Sequence, residues 1–179
     1  MSRIVTTFLF LIALNLVGFS QEMKDHEIDD VTIKHPVGWE VVDIEKKKKE
    51  NPQNPMVQSV LFEISADKES DEAKSVQASK LDMTGKNATL DQIQQFFEKM
   101  YSNAQSDIQI LKKGSGEVNG YEFRSMTVKA ELENADVLSV QRVLLDGKYA
   151  YVVSVSSPLA EFANFKATGD KILDSFQVN

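Results

Sequence analysis

The fold of this chain is decided by residues 108–156, which read IQILKKGSGEVNGYEFRSMTVKAELENADVLSVQRVLLDGKYAYVVSVS. Asn119-Gly120 and Asp146-Gly147 each lie between apolar extended stretches, and both pairs favour the positive φ angles of tight hairpin turns. A weaker break at Asn134-Ala135-Asp136 lies between them. The three breaks predict four consecutive antiparallel strands, with a bulge near Arg124-Ser125 where the apolar positions change from odd to even numbers.

Two amphipathic helices flank these strands in the sequence. The first is predicted to begin at Thr89, which can form a capping box with Gln92, and apolar residues then recur at three- and four-residue intervals, Phe96 among them. The second is predicted to begin with Ser157 as N-cap and Pro158 at the first helical position. Each apolar stripe predicts a helix that packs on a sheet.

Shorter strands are predicted before the first helix, at residues 31–34, 39–41, 56–66 and 76–83, where apolar and polar residues alternate. Together with the four later strands they give about six or seven strands. The sequence therefore predicts an α+β protein in which a mostly antiparallel sheet is flanked by two long amphipathic helices.

Composition places this chain of 179 residues among single-domain globular proteins. It carries 20 Lys and Arg against 27 Asp and Glu, so the net charge is −7, and it has no Cys. The acidic balance argues against a nucleic-acid partner, which needs a basic face. The absence of Cys excludes disulfide-stapled folds, zinc fingers and cysteine nucleophiles.

The first twenty residues have the pattern of a signal peptide. Arg3 precedes an apolar run over residues 4–17, and Gly18 and Ser20 place small side chains before a cut at Gln21. The alternative interpretation is a buried or membrane-bound N-terminal helix, but the apolar run is shorter than the roughly 20 residues that a membrane span requires. We therefore predict a periplasmic or secreted protein, cleaved after Ser20, with no stable membrane anchor.

The mature chain is predicted to begin with a flexible acidic lead-in over residues 21–27. A single domain would then occupy residues 28–179.

The order of several short motifs resembles one known group of families. His35-Pro36-Val37-Gly38-Trp39 resembles the Tyr-Pro-x-Gly-Trp opening of the PsbP-like and DcrB-like families, with His35 where an aromatic residue is common. The Thr89 helix start, both Asn-Gly and Asp-Gly hairpins and the closing residues 172–176 follow in the family order. The resemblance covers residues 28–178. It implies an α/β/α sandwich shared with Mog-type Ran-binding proteins, and it implies assembly, envelope or protein-binding roles without catalysis.

Catalytic and metal-binding patterns are weak in this sequence. The two histidines, His26 and His35, do not have the His-x-x-x-His spacing of zinc sites, and no Gly-x-Ser-x-Gly motif presents a serine. The acidic residues at 22–30 lack the glycine turn of a calcium-binding loop. Gly114-Ser115-Gly116 lies within a predicted strand, where a phosphate-binding loop is not expected. We predict no enzyme activity, no metal and no cofactor.

Two features are candidates for partner binding. Lys46, Lys47, Lys48 and Lys49 form a dense positive run that is predicted to lie on a polar loop bounded by prolines. Such a run can attract an anionic partner, and the alternative is a solvated loop that serves solubility. Trp39 is predicted either to anchor the core or to face a partner.

The sequence therefore favours an exported binding or assembly module of the cell envelope that acts through protein–protein contacts. The alternative is a carrier of a small ligand, held in an apolar groove between a helix and the sheet. An apolar pocket with a few inward polar groups would favour the carrier. A hydrolase, the third possibility, would need titratable groups that converge in a cleft.

Overall fold

A computed structural model of the chain describes residues 21–67, 73–103, 108–132 and 135–179. The predicted signal peptide at 1–20 lies outside the described residues, as does Asn134 of the predicted break. Within these ranges, no helix is both long enough and apolar enough to cross a bilayer.

The described residues form ten strands and four helices. In chain order they are β1 (Met23–Ile28), β2 (Val31–Pro36), β3 (Glu40–Val41), α1 (Ile44–Glu50), α2 (Pro55–Gln58), β4 (Val60–Ser65), β5 (Ser75–Asp82), α3 (Leu90–Asn103), β6 (Ile108–Val118), β7 (Tyr121–Glu131), β8 (Asp136–Asp146), β9 (Tyr149–Pro158), α4 (Leu159–Asp174) and β10 (Gln177–Val178).

Seven strands form the main sheet in the order β3-β4-β5-β9-β8-β7-β6, and all neighbours are antiparallel. The four-strand meander predicted for residues 108–156 is confirmed as β6 to β9. Its tight turns have the expected positive φ angles, 49° at Asn119, 84° at Gly120 and 56° at Gly147. The predicted count of six or seven strands also fits this sheet.

A second sheet of three strands, in the order β1-β2-β10, contains the segment that was predicted to be a flexible lead-in. The structure differs from that prediction at residues 23–27, because β1 (Met23–Ile28) pairs in full antiparallel register with Val31–Pro36. Met23 and Ile28 pack against the core, while the charged residues lie outside, where Asp25 pairs with Lys34 at 2.9 Å. The many acidic residues indicate disorder in the sequence, although the few apolar side chains of this strand pack against the core.

The main sheet is covered on both faces, as the predicted α/β/α sandwich requires. On one face, α4 and the three-stranded sheet enclose a core that includes Phe62, Tyr151 and Phe165. On the other face, α3 packs through Ile93 and Phe97. Alternate residues of the strands supply the two cores because successive strand side chains point to opposite faces.

The helices differ from the prediction of two long ones in number and in one boundary. The two predicted helices correspond to α3 and α4, with 14 and 16 residues, and α1 and α2 are two further short helices. Helix α4 begins at Leu159 because β9 extends through Pro158. Ser157 is buried in the ladder opposite Leu138, so it does not cap the helix.

The bulge predicted near Arg124-Ser125 is not found there, since β7 pairs with β8 in unbroken register. The register of β6 against β7 shifts instead between Ile110 and Lys112. Phe123 packs toward the α4 core and Met126 toward the α3 core. The change from odd to even apolar positions therefore reflects a strand whose two ends are covered on opposite faces.

A partly buried hydrogen-bond cluster joins the two sheets. Oδ2 of Asp30, which follows β1, accepts hydrogen bonds from Lys80 Nζ and from the Tyr151 hydroxyl, each at 2.6 Å. Tyr151 is fully buried, and its burial, with the neighbouring Asp30, raises the pKa of its hydroxyl. The cluster thus fixes the turn between β1 and β2 to the centre of the main sheet.

Candidate functional site

A groove opens between α2 and α3, on the face of the sheet that α3 covers. Helix α3 lies on β6, β7 and β8, and α1 lies on β4, so neither covers the end of β5 between them. The cavity has a volume of about 410 Å³. We call this cavity the α2–α3 groove, and its lining comprises Pro55, Met56, Leu81, Asp82, Met83, Lys86, Ala88, Gln92, Ile93 and Phe96.

Local structure explains why these apolar side chains meet. Asn54 caps α2 by accepting a hydrogen bond from the Met56 amide at 3.0 Å, which sets Met56 against the sheet. Leu81 lies on β5 and points to the same face as α3. Ile93 and Phe96 are three residues apart on α3 and therefore lie on one side of that helix.

One end of the groove is closed by the loop of residues 83–89, whose backbone is held by hydrogen bonds. The Met83 amide donates to the Lys148 carbonyl at 2.8 Å, and the Lys86 amide donates to the Met83 carbonyl at 2.9 Å. Gly85 at φ 75° and Asn87 at φ 43° supply the left-handed conformations that the tight turn requires. The loop therefore forms one wall of the groove, and hydrogen bonds hold its backbone in place.

Two of the three polar lining residues already have hydrogen-bond partners. Oε1 of Gln92 accepts from the Thr89 amide at 2.9 Å, and the Gln92 amide donates to the Thr89 hydroxyl at 3.3 Å, which confirms the predicted capping box. Asp82 accepts from the Thr84 amide at 2.8 Å, and hydrogen bonds from Thr84 lower the pKa of its carboxyl group. Lys86 is exposed and is the only cation among the lining residues.

A smaller cavity of about 210 Å³ adjoins the α2–α3 groove through Met56, which lines both. It lies beneath α1 and is lined by Ile44, Lys47, Met56, Val57, Val60, Glu63 and Gln77. Lys47 Nζ donates to both carboxylate oxygens of Glu63 at 3.1 Å. The apolar surface of the groove thus continues toward an ion pair at the α1 end.

The run Lys46 to Lys49, predicted to be a loop, is helical in the structure and belongs to α1. Asp43 caps this helix by accepting a hydrogen bond from the Lys46 amide at 3.0 Å. Lysine and glutamate are good helix formers, and the basic residues fall in the last turn, where they favour the helix dipole. The prolines at 52 and 55 bound the segment after this helix instead.

Three of these four lysines lie next to carboxylates, so the run is less positive than its sequence indicates. Lys46 is 4.0 Å from Glu50, Lys47 pairs with Glu63, and Lys48 is 3.3 Å from Glu45. The fourth, Lys49, is exposed. A role for Lys46, Lys47, Lys48 and Lys49 in partner binding stays a prediction.

Trp39 lies in the core, where the residue is only 7% exposed. Its ring stacks on Phe165 of α4 with a centroid separation of 5.9 Å. These contacts agree with the interpretation of Trp39 as a core anchor, and its role in partner binding stays a prediction.

The fold brings together the two histidines that the sequence separates by nine residues. Pairing of β1 with β2 places the His26 and His35 rings 6.1 Å apart, and His26 also packs edge-on against Phe62 at 5.2 Å. His35 is 1% exposed, so it packs beneath the sheet where the resembling families often have an aromatic residue. Burial, with a smaller effect of the Lys24 charge, lowers the pKa of both imidazoles. Among the described residues, no group of three or more His, Asp or Glu side chains is placed to hold a metal ion.

The groove was not recognised as a site from the sequence. Leu81 and Met83 were interpreted as strand residues, and Phe96 as part of a helix core. Phe96 is in fact 56% exposed at the rim of the groove. A local signal exists, since apolar Met83 and Ala88 flank a polar turn directly before the helix cap.

Comparison with known proteins identifies the fold. No protein-family model and no curated protein matches the chain. The solved structure of cyanobacterial PsbP (CyanoP) from Synechocystis superposes with a TM-score of 0.65 at 14% identity, over 92% of this chain and 96% of that one. LpqN of Mycobacterium tuberculosis, described as involved in cell envelope biogenesis, gives 0.58 at 10% identity, over 91% and 87% of the two chains.

A Pseudomonas aeruginosa protein of unknown function, described as a putative regulator, gives a TM-score of 0.50 at 9% identity, over 86% of this chain and 95% of that one. The chain therefore has a PsbP-like fold, as the order of motifs predicted. At these identities the likeness establishes the fold, and function has to be argued from the site.

Proposed function

We propose that this chain is a non-enzymatic binding module of the cell envelope that holds a small apolar ligand in the α2–α3 groove. The observation that carries the proposal is the cavity of about 410 Å³ with walls formed mainly by apolar side chains. Ligand-binding pockets are typically about 300–1,000 Å³, mostly apolar, with a few fixed polar groups. The groove has this composition.

The polar groups of the groove support binding rather than chemistry. Gln92 is committed to the helix cap and Asp82 to the turn at Thr84. Both side chains hold the walls in place, and their hydrogen bonds are already formed before any ligand arrives. What the groove offers an occupant is apolar contact, which releases roughly 25 cal/mol for each Å² of apolar surface removed from water.

A location in the cell envelope is supported by two observations. The first twenty residues have the pattern of a signal peptide with a cut after Ser20. LpqN, which shares the fold, is described as involved in cell envelope biogenesis. We accordingly propose that the module works in the periplasm or after secretion.

A protein partner is the second candidate, and the exposure of Phe96 favours it. Large apolar side chains that are exposed beside a pocket are typical of binding surfaces, in which a polar rim surrounds an apolar centre. Phe96 lies at the rim, and the smaller cavity extends the surface to α1 and its lysines. In this alternative an envelope protein would insert an apolar side chain into the groove.

The carrier proposal is tested with the neutral fluorescent dye N-phenylnaphthylamine and a pair of identical substitutions. Ala88→Phe fills the groove from its half-buried lining position, whereas Ala160→Phe places the same side chain on exposed surface of α4. We expect saturable dye binding by the wild type and by Ala160→Phe, and at least a tenfold loss in Ala88→Phe. Equal binding by all three proteins would refute the proposal.

The second candidate is tested by placing a photocrosslinking amino acid at position 96 and, as control, at the exposed Leu159 of α4. A single envelope protein captured from position 96 and not from 159 would favour the protein partner. Replacing Lys46 to Lys49 by Gln would then show whether α1 belongs to the same contact.

A further inference from the structure

The cation at the mouth of the α2–α3 groove makes the site polar at one end. Lys86 is exposed and lines the groove beside the apolar side chains of Met83 and Ala88. Its backbone is fixed by the hydrogen bond from its amide to the Met83 carbonyl and by the positive φ angles on either side of it. The side chain of Lys86 therefore extends from a loop whose backbone is held by a hydrogen bond.

The lining of this mouth carries one lysine and one carboxylate, and the two differ in the partners that they already have. Asp82 is the one carboxylate of the lining, and the charges of Lys148 and Lys86 both act on it. Its oxygen is also occupied by the Thr84 amide. Within the described residues no carboxylate forms an ion pair with Lys86, so its ammonium group can meet an anion at the mouth of the groove.

We propose that the ligand of the groove is a single-chain amphiphile with a carboxylate head, held with its chain on Met56, Leu81 and Ile93 and its head at Lys86. This inference rests on the proposed function and specifies its ligand. A cavity near the lower end of the usual range suits one chain better than the two chains of a phospholipid. The apolar walls explain retention, and the lysine selects the charged head over a neutral one.

The test compares two ligands of equal chain length that differ in the head group, decanoate and decanol, each below its aggregation concentration. At about pH 8 the carboxylate is ionised and the alcohol is neutral. Binding to the purified protein is measured by displacement of N-phenylnaphthylamine. Variants are Lys86→Gln and, as matched control, Lys171→Gln, which removes an exposed lysine from α4.

We expect decanoate to bind more tightly than decanol. Lys86→Gln should weaken decanoate by about two- to fivefold, the range of a solvent-exposed ion pair, and leave decanol unchanged. Lys171→Gln should change neither affinity. At about 1 M salt, where the screening length is about 3 Å, the preference for decanoate should disappear.

Two outcomes would overturn the proposal, and they are distinguishable. If decanol binds as well as decanoate and Lys86→Gln alters neither, the carboxylate inference fails and the apolar groove stands. If neither compound displaces the dye and neither binds directly, the proposed function fails together with its ligand.

Discussion

The two faces of the main sheet are built from the same strands and are covered in different ways. On one face, α4 and the three-stranded sheet enclose a single core in which Phe62, Tyr151, Phe165 and Phe176 are almost completely buried. On the other face, α3 lies on β6, β7 and β8, and α1 lies on β4. The space between these two helical parts is the α2–α3 groove.

Coverage, and not strand composition, therefore separates the closed face from the face that carries the groove. Alternate side chains of β5 supply Ala78 to the closed core and Leu81 to the groove. Changes on the closed face should therefore act on the free energy of unfolding. Changes at the exposed rim of the groove, such as those at Phe96, should act on binding and leave the free energy of unfolding almost unchanged.

The largest effect is expected from removing an aromatic ring of the closed face. Phe62→Ala leaves a cavity beneath both sheets and should lower the free energy of unfolding by about 3–5 kcal/mol. Urea unfolding followed by circular dichroism measures the loss. A change below about 1 kcal/mol would mean that this face is not the closed core described above.

A smaller loss is expected from the hydrogen-bond cluster that joins the sheets. Asp30→Ala leaves the buried Tyr151 hydroxyl without its acceptor and should cost about 1–3 kcal/mol. In Tyr151→Phe that hydroxyl is absent, so Asp30→Ala should cost less in this background. Additive losses in the double variant would contradict a direct contact between the two side chains.

The histidine pair predicts a pH dependence of the closed face. Because the folded state lowers the pKa of His26 and His35 below the unfolded value near 6.5, the unfolded chain binds more protons in that range. The free energy of unfolding should therefore be highest above about pH 6.5. It should fall as the pH drops toward the lowered pKa values that the imidazoles have in the folded state. The double variant His26→Phe with His35→Phe should show a shallower fall in urea unfolding between about pH 7.5 and 5.5. Equal slopes in the two proteins would contradict burial of the imidazoles.

The smallest effect on stability is expected at the rim of the groove. Phe96→Ala removes a side chain that is more than half exposed, so the free energy of unfolding should change by about 0.5 kcal/mol or less. The same variant should bind N-phenylnaphthylamine several-fold more weakly. Loss of stability without loss of dye binding would reverse the assignment of Phe96 from rim to core.

The sequence predicts the closed parts of the molecule better than the groove for a physical reason. Asn119-Gly120, Asp146-Gly147 and the Thr89 capping box are local signals, and each lies where it was expected. The strand Met23–Ile28 was missed because its stability comes from pairing with β2 and from contacts with a distant core. Local composition there is acidic and indicates disorder.

The candidate site was missed for a related reason. Met56, Leu81 and Phe96 belong to three elements, and each is typical of a buried position in its own segment. Only the spacing between α2 and α3 turns them into an open surface, and no short-range pattern determines that spacing. Trp39 illustrates the reverse case, since an aromatic residue near a turn was assigned to partner binding and is buried against Phe165.

A ligand site in the α2–α3 groove is tested most directly with the methyl groups of methionine as reporters. Met56 and Met83 line the groove, Met126 is buried under α3, and Met23 packs on the opposite face. In a titration of methyl-labelled protein with decanol, followed by nuclear magnetic resonance, the signals of Met56 and Met83 should shift and saturate together. Those of Met23 and Met126 should stay in place. Shifts that are absent, or equal at all four positions, would contradict a ligand site in the α2–α3 groove.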